Sequence, residues 1–401
     1  IEVLPVPHPS GLPDLCVVLE SDGEEAWIEH APLDYQNMHP SELRNRLRDL
    51  GLAGLGGAVF PSHAKLNPGK QPKVPTLILN GAECEPWITC DDMLMRERAH
   101  EIIAGAKIMQ SILGSEQVLI GIEDNKPEAL AAMRVACAGT GYEVIAVPTI
   151  YPGGGAKQLT QVLLGKEPPA GGRSTDIGVQ VFNVATSYAL ARAVLHGEPL
   201  LSRIVTLTGN VERPRNVEVL LGTPISEVLA LAAPRADTQH CIMGGPMMGF
   251  ALPTLQAPVV KATNCIIATS PALFPPAPSA LPCIRCTQCA QACPVNLQPQ
   301  DLYWFARGHE FDKAKQYNLF DCIECGCCDY VCPSHIPLVQ YYRYAKSEIW
   351  AKEKEKTKAA IFALLTAEQR VKAAELHAKF KERMGERFGR RGFGGGFPKE
   401  F

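Results

Sequence analysis

No apolar run in this chain of 401 residues approaches the ~18–20 residues a helix needs to cross a bilayer, and no secretory leader pattern is present. Any contact with a membrane is therefore expected to be indirect, through partners. An excess of basic charge is also missing: the formal net charge is −3. No stretch interleaves aromatic and basic side chains into a platform for single strands, so nucleic acid is not an expected partner. An initial methionine is lacking as well. The chain opens at Ile1 in what reads as the middle of a β-rich segment, so the end of a truncated N-terminal module is expected there. What remains is ordinary globular material, 46% hydrophobic and long enough for roughly two to four domains. Charge is uneven: from Arg343 onward fifteen Lys/Arg face eight Asp/Glu, giving a tail of +7 and a body of −10.

Cysteine is plentiful, with fifteen in all. Eight fall into two copies of CxxCxxCxxxCP: Cys283, Cys286, Cys289 and Cys293 before Pro294, and Cys322, Cys325, Cys328 and Cys332 before Pro333. Gaps of two residues set three thiolates around one face of a cube, and the proline stops the chain from continuing as a helix. In the bacterial two-cluster ferredoxin spacing the fourth cysteine of each run ligates the other cluster. On that pattern Cys283, Cys286, Cys289 and Cys332 hold one [4Fe–4S] cluster, and Cys322, Cys325, Cys328 and Cys293 the second. Structural zinc is the competing reading, but zinc ribbons separate two CxxC pairs by about 12 to 20 residues. A disulfide framework would leave seven cysteines over. Cys327 fits neither slot and reads as a non-ligand. Cys16, Cys84, Cys90, Cys137, Cys241 and Cys265 read as small buried hydrophobes.

Along the chain, residues 1–40 read as the end of a β-rich module and a linker. A helix is expected over Ser41 to Leu50, capped by Ser41 and stopped by Gly51. Strand-like runs at Thr76 to Leu79, Gln117 to Ile122, Glu143 to Val147 and Val179 to Phe182 alternate with helical stretches. They predict an α/β domain with a parallel sheet over 41–200. Short strands and one helix near Ile225 to Ala232 predict a small α+β module over 201–270. Pro-rich 271–282 is a linker, 283–340 the helical cysteine domain, and 341–401 a charged helical tail with a disordered end.

Behind the first helix runs GLAGLGGAVFP, Gly51 to Pro61, with Lys65 close by. Glycines allow backbone N–H groups to approach a phosphate, and a lysine adds a point charge. A tight turn or close helix packing would use the same run. The strand at Val74 to Leu79 ends in Asn80-Gly81-Ala82-Glu83-Cys84-Glu85, where ligands of open α/β sheets bind. A third loop, Tyr151 to Lys157, and the strand end at Asn183 to Thr186 supply further candidates. Capping of the helix near Asp91 is the structural alternative for Glu83, Glu85, Asp91 and Asp92, and a turn is the alternative for Asn183.

GLGGAVFP, NGAECEPWITCDD, YPGGGAKQL, RSTDIGVQVFNVATSYA, IMGGPMMGF and the paired cysteine runs together resemble the C subunits of the Rnf (Rsx) electron transport complex. The similarity spans about Ala31 to Tyr344. That family is related to the flavin-carrying, NADH-oxidising subunit of respiratory complex I. The resemblance implies an α/β FMN/NADH-binding domain, a β-grasp (SLBB-like) module and a helical domain with two [4Fe–4S] clusters. It places Gly54, Gly56, Gly57, Phe60 and Lys65 at the flavin phosphate and ring, and Asn80, Glu83 and Glu85 at the flavin and nicotinamide edge. Asn183 and Thr186 would make the last flavin contacts. Relative to the complex I subunit, Leu55 stands for an arginine, Val59 for a glycine, Ala82 for an aspartate and Ala156 for a glutamate.

The function so implied is NADH oxidation through FMN. Electrons would then pass singly through the clusters to the other Rnf subunits, including a ferredoxin-like one. The resemblance puts the chain at the periphery of the bacterial inner membrane, on its cytoplasmic face, in NADH:ferredoxin oxidoreduction coupled to ion translocation. A flavin between hydride donor and cluster takes two electrons and releases them one at a time. Glu83 and Glu85 are the expected catalytic acids, tuning the site by their charge. The other reading is an iron–sulfur adaptor with no NADH or flavin activity of its own.

Overall fold

The computed structural model describes residues 2–376 except 12, 25, 70–72, 367 and 374. The glycine-rich end expected to be disordered lies outside the described residues. The chain divides into two compact units: residues 1–300 with 320–339, and 301–319 with 340–401.

The first unit begins with an antiparallel hairpin, β1 (Glu2–Pro7) and β2 (Pro13–Val18), pairing Glu2 with Val18. Helix α1 (Pro40–Asp49) buries Leu43 and Leu47, one turn apart on one face. Its cap is His39, whose ring accepts from the Ser41 N–H, and not Ser41 as expected. Pro40 explains the shift: its fixed φ suits the first helical position, so the helix starts a residue earlier. Gly51 follows the helix at φ +72°, a left-handed stop. A short helix α2 (Ser62–Lys65) follows.

The α/β core has four strands, β3 (Thr76–Gly81), β4 (Gln117–Glu123), β5 (Glu143–Val147) and β6 (Val179–Asn183), all parallel and ordered β5-β4-β3-β6. Around them lie α3 (Cys90–Glu97), α4 (Ala99–Leu113), α5 (Pro127–Ala136), α6 (Ala156–Leu164) and α7 (Val184–Leu195). Successive residues of β3 face opposite sides. Leu77 and Leu79 join one apolar cluster with Ile102, Met109 and Leu190; Ile78 joins a second with Leu119, Leu159 and Val181. Burial on both faces is why these strands read as continuous apolar runs. Helices α4 and α7 cross so closely that a Cβ on Gly105 would lie 1.9 Å from the Ser187 carbonyl oxygen.

From β3 the chain moves to β4 and β5 on one side, then returns to β6 on the other. The crevice beyond the carboxyl ends of β3 and β6 is therefore the topological switch point, where such sheets bind ligands. Asn80 and Asn183 sit opposite one another in that ladder.

The next module is a mixed sheet of β7 (Ser202–Gly209), β8 (Arg215–Leu220), β9 (Cys241–Met243), β10 (Phe250–Ala251) and β11 (Cys265–Ala268), ordered β10-β9-β11-β7-β8, with helix α8 (Ile225–Ala230). Only the β7–β11 pair is parallel among its described strands. Val205, Leu207, Ile225, Leu229 and Ile266 form its core.

The two cysteine runs form matching loops with short helices α9 (Gln288–Gln291) and α12 (Cys327–Tyr330). Left-handed backbone recurs at equivalent positions: Arg285 and Glu324, Thr287 and Gly326, Asn296 and His335. Five of these six are not glycine. Such conformations cost about 1–2 kcal/mol each and persist where the surroundings dictate them. The proline linker is strapped to the second loop by Leu281 N–H to Ser334 O at 2.8 Å and Ser334 Oγ to Pro282 O at 2.9 Å.

Helices α10 (Pro299–Arg307), α11 (Phe311–Gln316) and α13 (Leu338–Leu364) make up most of the second unit. Tyr303 and Tyr341 meet edge-on there with ring centroids 4.9 Å apart, and Lys315 pairs with Glu353. The helices between the two cysteine runs, expected inside the cysteine domain, thus group with the C-terminal helix. No described helix is long and apolar enough to cross a membrane.

Candidate flavin pocket and cluster loops

A cavity of about 650 Å³ opens at the switch point. Gly54, Gly56, Gly57, Phe60, Lys65, Asn80, Glu83, Glu85, Asn183 and Thr186 all line it. Its size suits a cofactor with part of a second ligand.

Several of these side chains are engaged by the protein itself. Thr186 Oγ1 accepts the Leu55 N–H at 2.9 Å, pinning the glycine loop onto α7. Asn183 caps α7 by accepting from Ala185 N–H at 2.9 Å, and donates to Asp91 at 2.5 Å. Asn80 donates to the Gly154 carbonyl at 2.7 Å and accepts from Ala82 N–H at 3.0 Å, joining two loops of the wall. Glu83 accepts from the N–H groups of Asp91 and Asp92 at 2.9 and 3.1 Å, so it caps α3 from a distance. The capping expected of the two aspartates thus falls to Glu83, while Asp92 pairs with Arg96 at 2.6 Å. Burial, then the nearby Asp91 charge, pushes the Glu83 carboxyl up to about 8. Glu85 accepts from Met247 and Met248 N–H at 2.7 and 2.9 Å, and burial raises its pKa.

What remains free faces the cavity. The N–H groups of Gly56 and Gly57 donate to no protein acceptor among the described residues. Gly57 has φ +102° with open space where a Cβ would sit, whereas a Cβ on Gly56 would meet Asn183 at 3.1 Å. Lys65 lies over the Phe182 ring at 4.8 Å and pairs with no carboxylate among the described residues. Burial pulls it down to about 8. Gln158 turns a buried Oε1 without a partner into the same wall. A partly buried cation without a carboxylate partner among the described residues, lining the same cavity as free backbone donors, fits the phosphate of a flavin mononucleotide. Val59, where the related family has glycine, keeps a left-handed φ of +51° despite its branched side chain.

Sequence reasoning offers the Tyr151 to Lys157 loop only as a further candidate and the Ile242 to Phe250 and Tyr151 to Leu159 runs only as motifs of the resemblance, and it passes over Arg203. Arg203, of β7, donates to the Leu55 carbonyl at 3.4 Å and to Lys261 O, so the second module also holds the glycine loop. Ile323, between Cys322 and Cys325, lines the flavin cavity, so the second cysteine loop forms part of its wall.

No disulfide joins any of the fifteen cysteines. Burial, and with it the sulfurs of Cys332 and Cys286, raises the Cys289 pKa. Burial likewise raises Cys325 and Cys328, with Cys293 a neighbour of the first and Cys322 of the second. The spacing of the two runs is that of crossed ligation, in which each fourth cysteine serves the other cluster. Soft thiolates in this number suit iron–sulfur clusters. Cys90, Cys137, Cys241 and Cys265 are buried as expected, but Cys16 and Cys84 are half-exposed, because one lies on a two-stranded hairpin and the other on the pocket wall.

The chain matches three known families: the Nuo51 FMN-binding domain over residues 47–192, the SLBB domain over 204–251 and the 4Fe-4S dicluster domain over 282–336. It is 51% identical over 319 residues to the C subunit of the ion-translocating oxidoreductase complex of Serratia proteamaculans, covering 78% of this chain and 45% of that one. The corresponding C subunit of Citrobacter koseri is 52% identical over 358 residues, with 88% and 50% covered, and that of Pseudomonas aeruginosa 50% over 320, with 79% and 41%. The chain thus spans about half the length of the curated relatives it matches. Among solved structures, an NAD+-reducing [NiFe]-hydrogenase in its H2-reduced state shares the fold with TM-score 0.54 at 19% identity, covering 76% of this chain and 61% of that one. The fold is an Nuo51-type α/β domain followed by an SLBB module and a dicluster module, and over the length it spans the chain belongs to the family of C subunits of the ion-translocating oxidoreductase complex.

Proposed function

We propose that this chain oxidises NADH through a bound FMN and passes the electrons singly, by two [4Fe–4S] clusters, to other subunits of a membrane-embedded complex. One observation carries the reading: a single cavity is lined by the glycine loop, by Lys65 and by Ile323 of a cysteine loop. In this proposal Gly56, Gly57 and Lys65 hold the flavin phosphate, and Asn80 and Asn183 keep the strand ends and wall loops in register. The eight motif cysteines hold the clusters in the crossed arrangement. When bound, the flavin supplies the conversion of a two-electron hydride donor into one-electron steps. Glu83 and Glu85 set the polarity and proton content of the pocket wall, and the loop around Met248 and Phe250 helps to exclude water. Phe60, more than half exposed at the cavity edge, offers an apolar face to a ring.

The name its relatives carry supports partners within an ion-translocating oxidoreductase complex. The reading adds a place peripheral to the membrane, on its cytoplasmic side, and NADH:ferredoxin exchange as the overall reaction. The test is an anaerobically purified, reconstituted chain titrated with NADH. Bleaching of a flavin band followed by cluster reduction is the expected result. Clusters without flavin, left oxidised by NADH, would make the chain an electron-transfer adaptor.

A further inference from the structure

Three modules of the first unit meet at two side chains. Glu85, from the loop after β3, accepts from both Met247 and Met248 N–H groups and so binds the turn between β9 and β10 to the α/β domain. Tyr151, which opens the loop before α6, donates its hydroxyl to the backbone carbonyl of Cys325 at 2.5 Å. Tyr151 and Glu85 line the same cavity. Next to Cys325, Gly326 has φ +79°, and a Cβ there would fall 2.8 Å from the Met247 carbonyl oxygen. The second cysteine loop and the β-grasp turn thus approach backbone to backbone, and the flavin wall reaches both through side chains. One phenol and one carboxylate are among the side chains that hold them in register.

We propose that Tyr151 is a positioning residue that fixes the Cys322–Cys328 loop against the flavin pocket and, by its O–H dipole on the Cys325 carbonyl, raises the reduction potential of the cluster held by Cys322, Cys325, Cys328 and Cys293. The inference rests on the reading that these four thiolates hold an iron–sulfur cluster. Hydrogen bonds and solvent exposure around the ligands set the potentials of such centres, and a donor aimed at the ligand residue favours the reduced, more negative state. The other cluster has no such tie to the flavin wall among the described contacts, so the two centres would be set apart by this bond, with the tethered one adjoining the pocket.

The test is Tyr151→Phe in the full chain, reconstituted anaerobically, with iron, sulfide and flavin measured before a redox titration followed by electron paramagnetic resonance. Cofactor content should be unchanged, and one centre alone should become harder to reduce. A three- to tenfold drop in its reduction constant is expected, roughly 30–60 mV for one electron. Gly326→Ala, which displaces the same loop without touching the hydroxyl, should alter the line shape of that same centre. Two centres at unshifted potentials, or shifted equally, would overturn the proposal. If Y151F holds less iron, amide exchange of residues 322–328 in cluster-free protein decides. Faster exchange there alone upholds the positioning role, and no change refutes it. Failure of the underlying reading would look different, as an unaltered chain that takes up no iron.

Discussion

Lys65 places its ammonium 4.8 Å above the Phe182 ring in a cavity where the Gly56 and Gly57 N–H groups have no protein acceptor among the described residues. A partly buried cation on an aromatic face with no carboxylate partner waits for an anion. Lys65→Met should weaken FMN binding roughly 10- to 100-fold, the loss of a charged hydrogen bond of about 1.5–3 kcal/mol. Riboflavin, which lacks the phosphate, should bind both proteins alike. Fluorescence titration with the two flavins makes the comparison.

The same lysine gives a pH dependence. Burial holds its pKa at about 8 in the free protein, and a bound phosphate would raise it. FMN affinity should therefore be flat below pH 8 and fall as pH rises above it, because binding must then take up a proton. The Met variant should lose this slope.

Thr186→Val keeps the side-chain volume and removes the acceptor for Leu55 N–H. A buried donor left unsatisfied costs about 1–3 kcal/mol. Thermal melts should show that loss, and the loosened glycine loop should bind FMN more weakly.

Glu83 is raised above its ordinary value by burial, so the folded protein holds that proton more tightly than the unfolded chain. Stability should then fall as pH rises from about 4.5 toward 8, the interval in which only the unfolded state has ionised. Glu83→Gln should flatten this part of the profile in denaturant melts at several pH values.

Much of this was legible in the residues. The four parallel strands appear within one or two positions of the expected bounds, since strands buried on both faces are written as unbroken apolar runs. The cysteine runs carry their spacing in plain view. What stayed hidden depends on contacts far apart in the chain. Tyr151 meets Cys325 across 174 residues, and Arg203 meets Leu55 across 148, with no local pattern to mark either. Capping near Asp91 is an alternative open to four acids, and only the fold shows that Glu83 is the one that reaches the start of α3. His39 displaced Ser41 as a cap through one proline, a shift too small for periodicity to register.

Crossed ligation gives a further prediction. Cys332→Ser should extinguish the same paramagnetic signal as Cys286→Ser, and Cys293→Ser the same as Cys325→Ser, while flavin content stays near that of the parent protein. Pairing within each run would instead join Cys293 with Cys286.

The central claim is that a flavin and two cubane clusters share this one chain. Iron, sulfide and flavin analysis of the anaerobically reconstituted protein tests it most directly. The account predicts about eight iron, eight sulfide and one FMN per chain, with NADH reducing the flavin and then the clusters. Zinc in place of iron at the cysteine loops, or no flavin retained, would contradict it.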